Sequence, residues 1–403
     1  MTDRLYYTNP YLLAFDATIA RVDRRDDRVV LTLDRTAFYP TSGGQPFDTG
    51  RLGPLRVVDV IDEDDGSIAH VVERGTLNPE PGQPVHGEVD WPRRFDHMQQ
   101  HSGQHVLSAA FNTLFGVRTV SFHLGGVVST IDLAREMSAV EIAAAEAEAN
   151  RIVWEDRPVA IRFVDAEEAA RLPLRKEPAR GGTLRLIDVE GFDLSACGGT
   201  HVARTGGIGV IAVASWERFK GGQRIEFLCG GRALTGYRTL RDAMTASVRL
   251  LSALPEELPA AIGRLQADAK EQKRSMVALQ GDLARYHAKE LAASAEEVRL
   301  KPATTETCLL VARAIETDAN GLKALATVIA ATPGYLVVLV STSTPALTVI
   351  ARSAGVNVSA QQLLATLVAQ FGGRGGGKPE LAQGGGIGAS ADAIIAAVRA
   401  TLA

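Results

Sequence analysis

Met98-Gln-Gln-His101-Ser-Gly-Gln-His105-Val-Leu107 is the stretch on which the reading of this chain turns. Apolar Met98, Val106, Ala109, Ala110 and Leu114 recur at helical spacing through Asp96–Phe115, so a helix is expected there. Residues four apart stack on one helical face, which lines up His97, His101 and His105. Far downstream stands Ser195-Ala-Cys197-Gly-Gly-Thr-His201-Val202, whose glycines permit a tight turn that points thiolate and imidazole the same way. A histidine pair at helical spacing is commonplace by itself. Together, His101, His105, Cys197 and His201 offer one thiolate and three imidazoles, a ligand set typical of a single zinc ion per chain. His97 shares the helical face and is expected at the surface or beside the ligands. His70, His86 and His287 fall in no pattern.

Outward from this pair, the texture of the chain divides it. The first ninety or so residues alternate apolar and polar, as in Arg28–Leu33 and Leu55–Val60, with turn clusters at Thr41–Gly44 and Asp64–Gly66. That is the pattern of a small antiparallel β-barrel or sandwich, and 1–92 is assigned to a β-barrel domain. An α+β core follows over 93–238, with a second helix at Ala139–Val153 and strands at Arg185–Val189 and Gly207–Val213. From 239 to 300 the chain reads as helical. Pro255 and Pro259 mark a break, and Ile262, Leu265, Ala269, Gln272, Met276, Leu279, Leu283 and Tyr286 then form a heptad stripe. This spacing suits a coiled-coil-like connector or a helix packed on its own domain. The remainder, 301–403, alternates strand-like and helical runs and reads as a separate α/β domain. The fold class is therefore α+β multidomain, and the connector or the last domain is a candidate homodimer face.

With 403 residues, 46% hydrophobic and 22% charged, the chain is long enough for several cores and reads as soluble. Net charge is −4 and the pI about 6.1, so no overall charge advertises a polyanion. Locally, Arg171–Arg238 holds 11 Lys/Arg against 6 Asp/Glu, an excess that attracts phosphates. Three cysteines exclude a disulfide framework and suit the cytoplasm. The N-terminus shows no charged-then-apolar leader, so no export signal is expected, and the apolar Leu322–Ala351 stretch is broken by Pro333-Gly334 and Pro345, so no membrane span is expected.

Both ligand motifs, with their flanks, resemble the editing domain of alanyl-tRNA synthetases, which strips wrongly attached amino acids from alanine tRNA. Three further stretches carry the resemblance over nearly the whole chain: Arg35-Thr-Ala-Phe-Tyr-Pro-Thr-Ser-Gly-Gly-Gln45-Pro-Phe-Asp-Thr-Gly50, Phe219-Lys-Gly-Gly-Gln-Arg-Ile-Glu226 and Gly372-Gly-Arg-Gly-Gly-Gly-Lys-Pro-Glu-Leu-Ala-Gln383. The last resembles a C-terminal domain shared with some phosphoesterases of the DHH class, whose implied role here is holding tRNA. The chain opens on the barrel, so an ATP-using aminoacylation module is not expected. The resemblance implies a hydrolase acting in trans on alanine tRNA carrying serine or glycine, and sparing alanine. A synthetase pocket cannot strongly exclude serine or glycine by size, which is why a second sieve exists.

Within that family, Thr36 matches the threonine of a Thr-x-Phe-Tyr motif and is the candidate reader of the serine hydroxyl. Gln104, between the helix ligands, is the candidate for orienting a water. Asp193 is placed to hydrogen-bond a ligand imidazole. Ser121 and His123 follow the metal helix where synthetase domains often carry glutamine, a departure from the family pattern. Arg374 and Lys378 in the glycine-rich tail suit RNA backbone contact, against a flexible linker. Two other readings stand: a non-catalytic tRNA-binding protein with a structural zinc, and editing of Ser-tRNA(Thr). Four protein ligands usually close a zinc site, whereas hydrolysis by bound water needs an open position, so the zinc is either catalytic or positional.

Overall fold

The computed structural model describes residues 1–25, 28–73, 78–175, 182–300 and 307–402. Lys176, Glu177 and Arg180 of the basic excess, and residue 301 where the last domain was expected to start, lie outside the described residues. The chain forms two compact units, Met1–Ser247 and Val248–Ala403.

The first unit begins with β1 (Asp3–Arg4), β2 (Ala14–Arg25), β3 (Arg28–Leu33), β4 (Arg35–Thr36), β5 (Gly50–Leu52), β6 (Leu55–Asp62), β7 (Ile68–Val72) and β8 (Pro84–Val89). Six of these strands close a barrel in the order β2-β3-β7-β6-β5-β8, while β1 and β4 pair in parallel. Inward-facing Phe15, Leu31, Leu33, Phe38, Val57, Val60 and Val72 fill it. The alternation in the sequence is the alternation of a strand with one face inside.

His70, patternless in sequence, is fully buried here, with its Nδ1 donating to the Leu31 carbonyl at 3.0 Å and its Nε2 at 2.8 Å from Thr36 Oγ1. Burial disfavours the imidazolium and pushes its pKa down to about 4, against a smaller opposing pull from the Leu31 carbonyl. The unfolded chain therefore binds a proton near pH 6.5 that the folded chain refuses until about pH 4. Stability is full above that window and falls as pH drops through it, by roughly 3 kcal/mol for one such group. Urea midpoints between pH 7 and 4.5 should fall less steeply in His70→Gln than in the wild type. Equal slopes would remove His70 as a source of acid sensitivity.

The core of the unit is built on α1 (Trp91–Phe115), preceded by Asp90, with Pro in its first turn and closed by Gly116 in the left-handed conformation (φ 65°). Every residue from His97 to Phe111 is buried, so the helix is enclosed on all sides. Around it lie β9 (Thr119–Leu124), β10 (Ser129–Leu133), α2 (Ala139–Trp154), β11 (Val159–Val164), α3 (Ala166–Arg171), β12 (Leu184–Val189), β13 (Asp193–Ala196), β14 (Ile211–Phe219) and β15 (Gly222–Cys229). They form a four-stranded sheet, β14-β15-β10-β9, and a three-stranded one, β11-β12-β13. A reciprocal Ser138–Glu141 capping box starts α2. The strand expected from Gly207 begins only at Ile211, because Thr205–Ile208 winds into a 3-10 turn and Gly209 takes φ 76°.

Barrel and core are joined by a fully buried ion pair. Arg94 of α1 donates from Nε and Nη2 to Asp48, and its remaining N–H groups reach the carbonyls of Pro10 (2.7 Å) and Ala37 (2.5 Å). Asp48 also accepts from the Tyr39 N–H at 2.7 Å. α4 (Gly231–Leu251) then carries the chain into the second unit.

That unit comprises α5 (Leu258–Ala293), β16 (Glu296–Arg299), β17 (Thr307–Ile315), α6 (Ala319–Ala330), β18 (Tyr335–Ser341), β19 (Ala346–Arg352), α7 (Ala360–Phe371), β20 (Arg374–Lys378), β21 (Leu381–Ile387) and α8 (Ala391–Leu402). Its six-stranded sheet runs β16-β17-β18-β19-β21-β20. Leu336, Val338 and Val340 pack with α7 and α8, while Val337 and Leu339 pack with α6 and the end of α5. Both faces are covered, which is why β18 reads as an unbroken apolar run. The glycine-rich tail forms the β20–β21 hairpin at the sheet edge, not a linker. Along α5 the heptad residues Ile262, Leu265, Met276, Leu279, Leu283 and Tyr286 are exposed. Among the described residues, no helix is long and apolar enough to cross a membrane.

Candidate metal centre

α1 supplies His101 and His105 from successive turns, and the loop leaving β13 supplies Cys197 and His201. Their ligand atoms all lie within 4.8 Å of one another. Cys197 Sγ is 3.4 Å from His101 Nε2 and 3.3 Å from His201 Nε2. Tetrahedral zinc, with bonds of about 2.0–2.3 Å, holds sulfur and nitrogen donors roughly 3.5 Å apart, so the residues fit that ion.

The outer nitrogens show the same organisation. Each ligand imidazole donates from Nδ1 to an oxygen behind it: His101 to Gln45 Oε1 (2.8 Å), His105 to Asp193 Oδ2 (3.1 Å) and His201 to Ser102 Oγ (3.2 Å). This fixes the tautomer and leaves Nε2 for a metal. Asp193 meets the expectation set for it. Burial alone would raise its pKa, but His105 and Arg175 outweigh that and hold the carboxyl well below the usual range. For Cys197, too, burial favours the thiol and is outweighed by the neighbouring His101 and His201, which hold its pKa well below the usual thiol value.

Gly199 is required by space. A Cβ there would sit 2.1 Å from His101 Cε1 and 3.1 Å from Gln45 Oε1. Gln45, on the barrel's Thr-Ser-Gly-Gly-Gln loop, also accepts from the Thr200 N–H (3.1 Å) and donates to Thr200 Oγ1 (2.8 Å). A barrel residue thus braces both halves of the ligand set. In the sequence Gln45 stands within a family motif, and nothing in its local pattern marks it for this role.

His105 and Cys197 line a cavity of about 170 Å³, with Gly43, Gln104, Thr119, Val120, Ser121, Phe122, Arg175, Ser195, Ala196 and Gly198. Gln104 belongs to it, its Nε2 donating to Ser108 Oγ at 2.8 Å. Ser121 belongs to it as well, donating to Asp132 Oδ2 (2.5 Å), and His123 does not. Thr36 is not brought to this wall. It is fully buried in the barrel, its hydroxyl held by His70 and by the Phe38 N–H (3.1 Å). His97, expected at the surface or beside the ligands, is 2% exposed and outside the cluster.

Three protein families match in turn: tRNA synthetases class II (A) over residues 10–93, the threonyl and alanyl tRNA synthetase second additional domain over 184–226, and the DHHA1 domain over 306–403. Alanine--tRNA ligase of Pyrococcus abyssi is 34% identical over 95% of this chain, and that of Methanoculleus marisnigri 34% over 96%. The chain spans 42% of the length of each of these ligases. Alanyl-tRNA editing protein AlaX-L of Pyrococcus horikoshii is 32% identical over 95% of this chain and 94% of its own length. With that length matched almost end to end, the chain belongs to the family of the alanyl-tRNA editing protein AlaX-L.

Proposed function

We propose that this chain is a deacylase that hydrolyses the ester of mischarged alanine tRNA, Ser-tRNA(Ala) and Gly-tRNA(Ala), in trans and in the cytoplasm, while sparing Ala-tRNA(Ala). One observation carries the reading: two of the four clustered donors, His105 and Cys197, line a small cavity walled by both polar and apolar groups. A structural zinc clip has no need of such a cavity. Zinc held by His101, His105, Cys197 and His201 would polarise the ester carbonyl or lower the pKa of a bound water.

The aminoacyl ester is activated, so the protein's task is to aim water and hold the carbonyl. Gln104, anchored on Ser108, is the proposed guide for that water. Hydrogen bonding to the serine hydroxyl spares alanine, which would leave those polar groups unpaired. Thr36 is proposed for this on the family resemblance, and to act it would have to trade His70 for substrate. Exposed Arg374 and Lys378 on β20 support contact with the RNA backbone, and the exposed stripe on α5 supports a homodimer.

The test is deacylation of Ser-tRNA(Ala), Gly-tRNA(Ala), Ala-tRNA(Ala) and Ser-tRNA(Thr), with and without a chelator, by wild type and Thr36→Val. Chelator-sensitive loss of serine from alanine tRNA alone is the expected result, with Thr36→Val about tenfold slower or less selective. Binding of alanine tRNA without cleavage would replace the enzyme by a binding protein. Unchanged Thr36→Val kinetics would remove that residue from the site.

A further inference from the structure

Arg175 lines the cavity and has no part in the reading above. Its guanidinium grips the buried Asp193 with two bonds, Nε to Oδ1 at 2.6 Å and Nη2 to Oδ2 at 3.2 Å. Its backbone N–H donates to the Leu194 carbonyl at 3.0 Å. The side chain is only 15% exposed, so its charge is held in place on the cavity wall. Among the described residues Nη1 has no hydrogen-bond partner. The neighbouring hydroxyls are committed as donors already: Thr119 to Ser108, Ser121 to Asp132, Ser195 to Asp193.

We infer that Arg175 is a catalytic residue whose guanidinium receives the carbonyl oxygen of the ester as it takes on negative charge. The inference rests on the deacylase reading. When water adds to the carbonyl carbon, the π pair moves onto that oxygen. On collapse it returns, the bond to the ribose oxygen breaks, and the proton lost by the water ends on the ribose hydroxyl. A fixed, desolvated cation beside that oxygen stabilises the charge where it develops. Sites for whole small molecules run from about 300 Å³ upward. A cavity of about 170 Å³ is smaller than that, and its place beside His105 and Cys197 suits an aminoacyl group and not a whole nucleotide.

The competing role for Arg175 is to prop Asp193, and through it His105. The two roles separate in the zinc-loaded full chain carrying Arg175→Met or Arg175→Lys. Each is assayed for metal content, KM, kcat on Ser-tRNA(Ala), and rescue by added guanidinium. Arg175→Met should keep its zinc and its KM, lose about 100-fold in kcat, and regain about tenfold with millimolar guanidinium. Arg175→Lys should fall between it and wild type. Loss of zinc in step with kcat, without rescue, would make Arg175 a prop and overturn the inference, as would an undiminished kcat in Arg175→Met. A wild type inert on every mischarged tRNA would instead overturn the deacylase reading itself.

Discussion

Cys197→Ala is expected to lose bound zinc and deacylase activity together. The thiolate is the one anionic donor in the cluster and lies 3.3–3.4 Å from two of the imidazoles. Removing it leaves three neutral nitrogens, a weaker set for zinc. The drop in affinity should exceed the roughly 10–100-fold that follows loss of a hydrogen-bond partner behind a ligand. Gly199→Ala should approach the same phenotype with all four ligands retained, because its Cβ would occupy the space of the His101 ring. Metal analysis and competition with a chromophoric chelator measure both. Full hydrolysis by a metal-free Cys197→Ala protein would defeat the zinc assignment outright.

Asp48→Asn should produce the largest loss of stability. It leaves the Arg94 guanidinium, fully buried, without its counter-charge. Breaking one side of such a pair costs about 3–5 kcal/mol, much of it the penalty of the charge left behind. Urea unfolding of the full chain, followed by tryptophan fluorescence (Trp91 begins α1), reads the change. The double variant Asp48→Leu with Arg94→Met should recover part of the loss, since it removes the stranded charge. Recovery should stay incomplete because the carbonyls of Pro10 and Ala37 lose their donors. A single variant as stable as wild type would mean that water or another group reaches Arg94.

How much of this was readable in the sequence follows from the range of each interaction. The helix at α1 and its ligand pair are local, and four-residue spacing announces them. The Cys197–His201 turn is local too, and its chemistry matches the first pair. The braces behind the ligands divide the same way. Asp193 lies close to Cys197 in the chain and was open to suspicion. Gln45 and Ser102 act across the fold, on His101 from the barrel and on His201 from α1, and no periodicity encodes such a meeting. Arg175 stands beside no motif, and only the folding of β13 against α1 makes it a wall of the cavity. Thr36 shows the converse: its motif is local, yet its hydroxyl is turned to His70, a partner that the sequence left unassigned. The stripe on α5 was plain by its spacing, but spacing names no partner.

The Gln45 brace bears on what counts as the smallest working piece of this molecule. All four donors lie between residues 101 and 201, so a fragment cut to that interval would look complete by inspection of its ligands. It would nonetheless lack the oxygen that orients His101 and the loop that steadies Thr200. The barrel is therefore a component of the candidate metal centre, and insertions, truncations or grafts that separate it from α1 are expected to weaken the centre without touching any of its four donors.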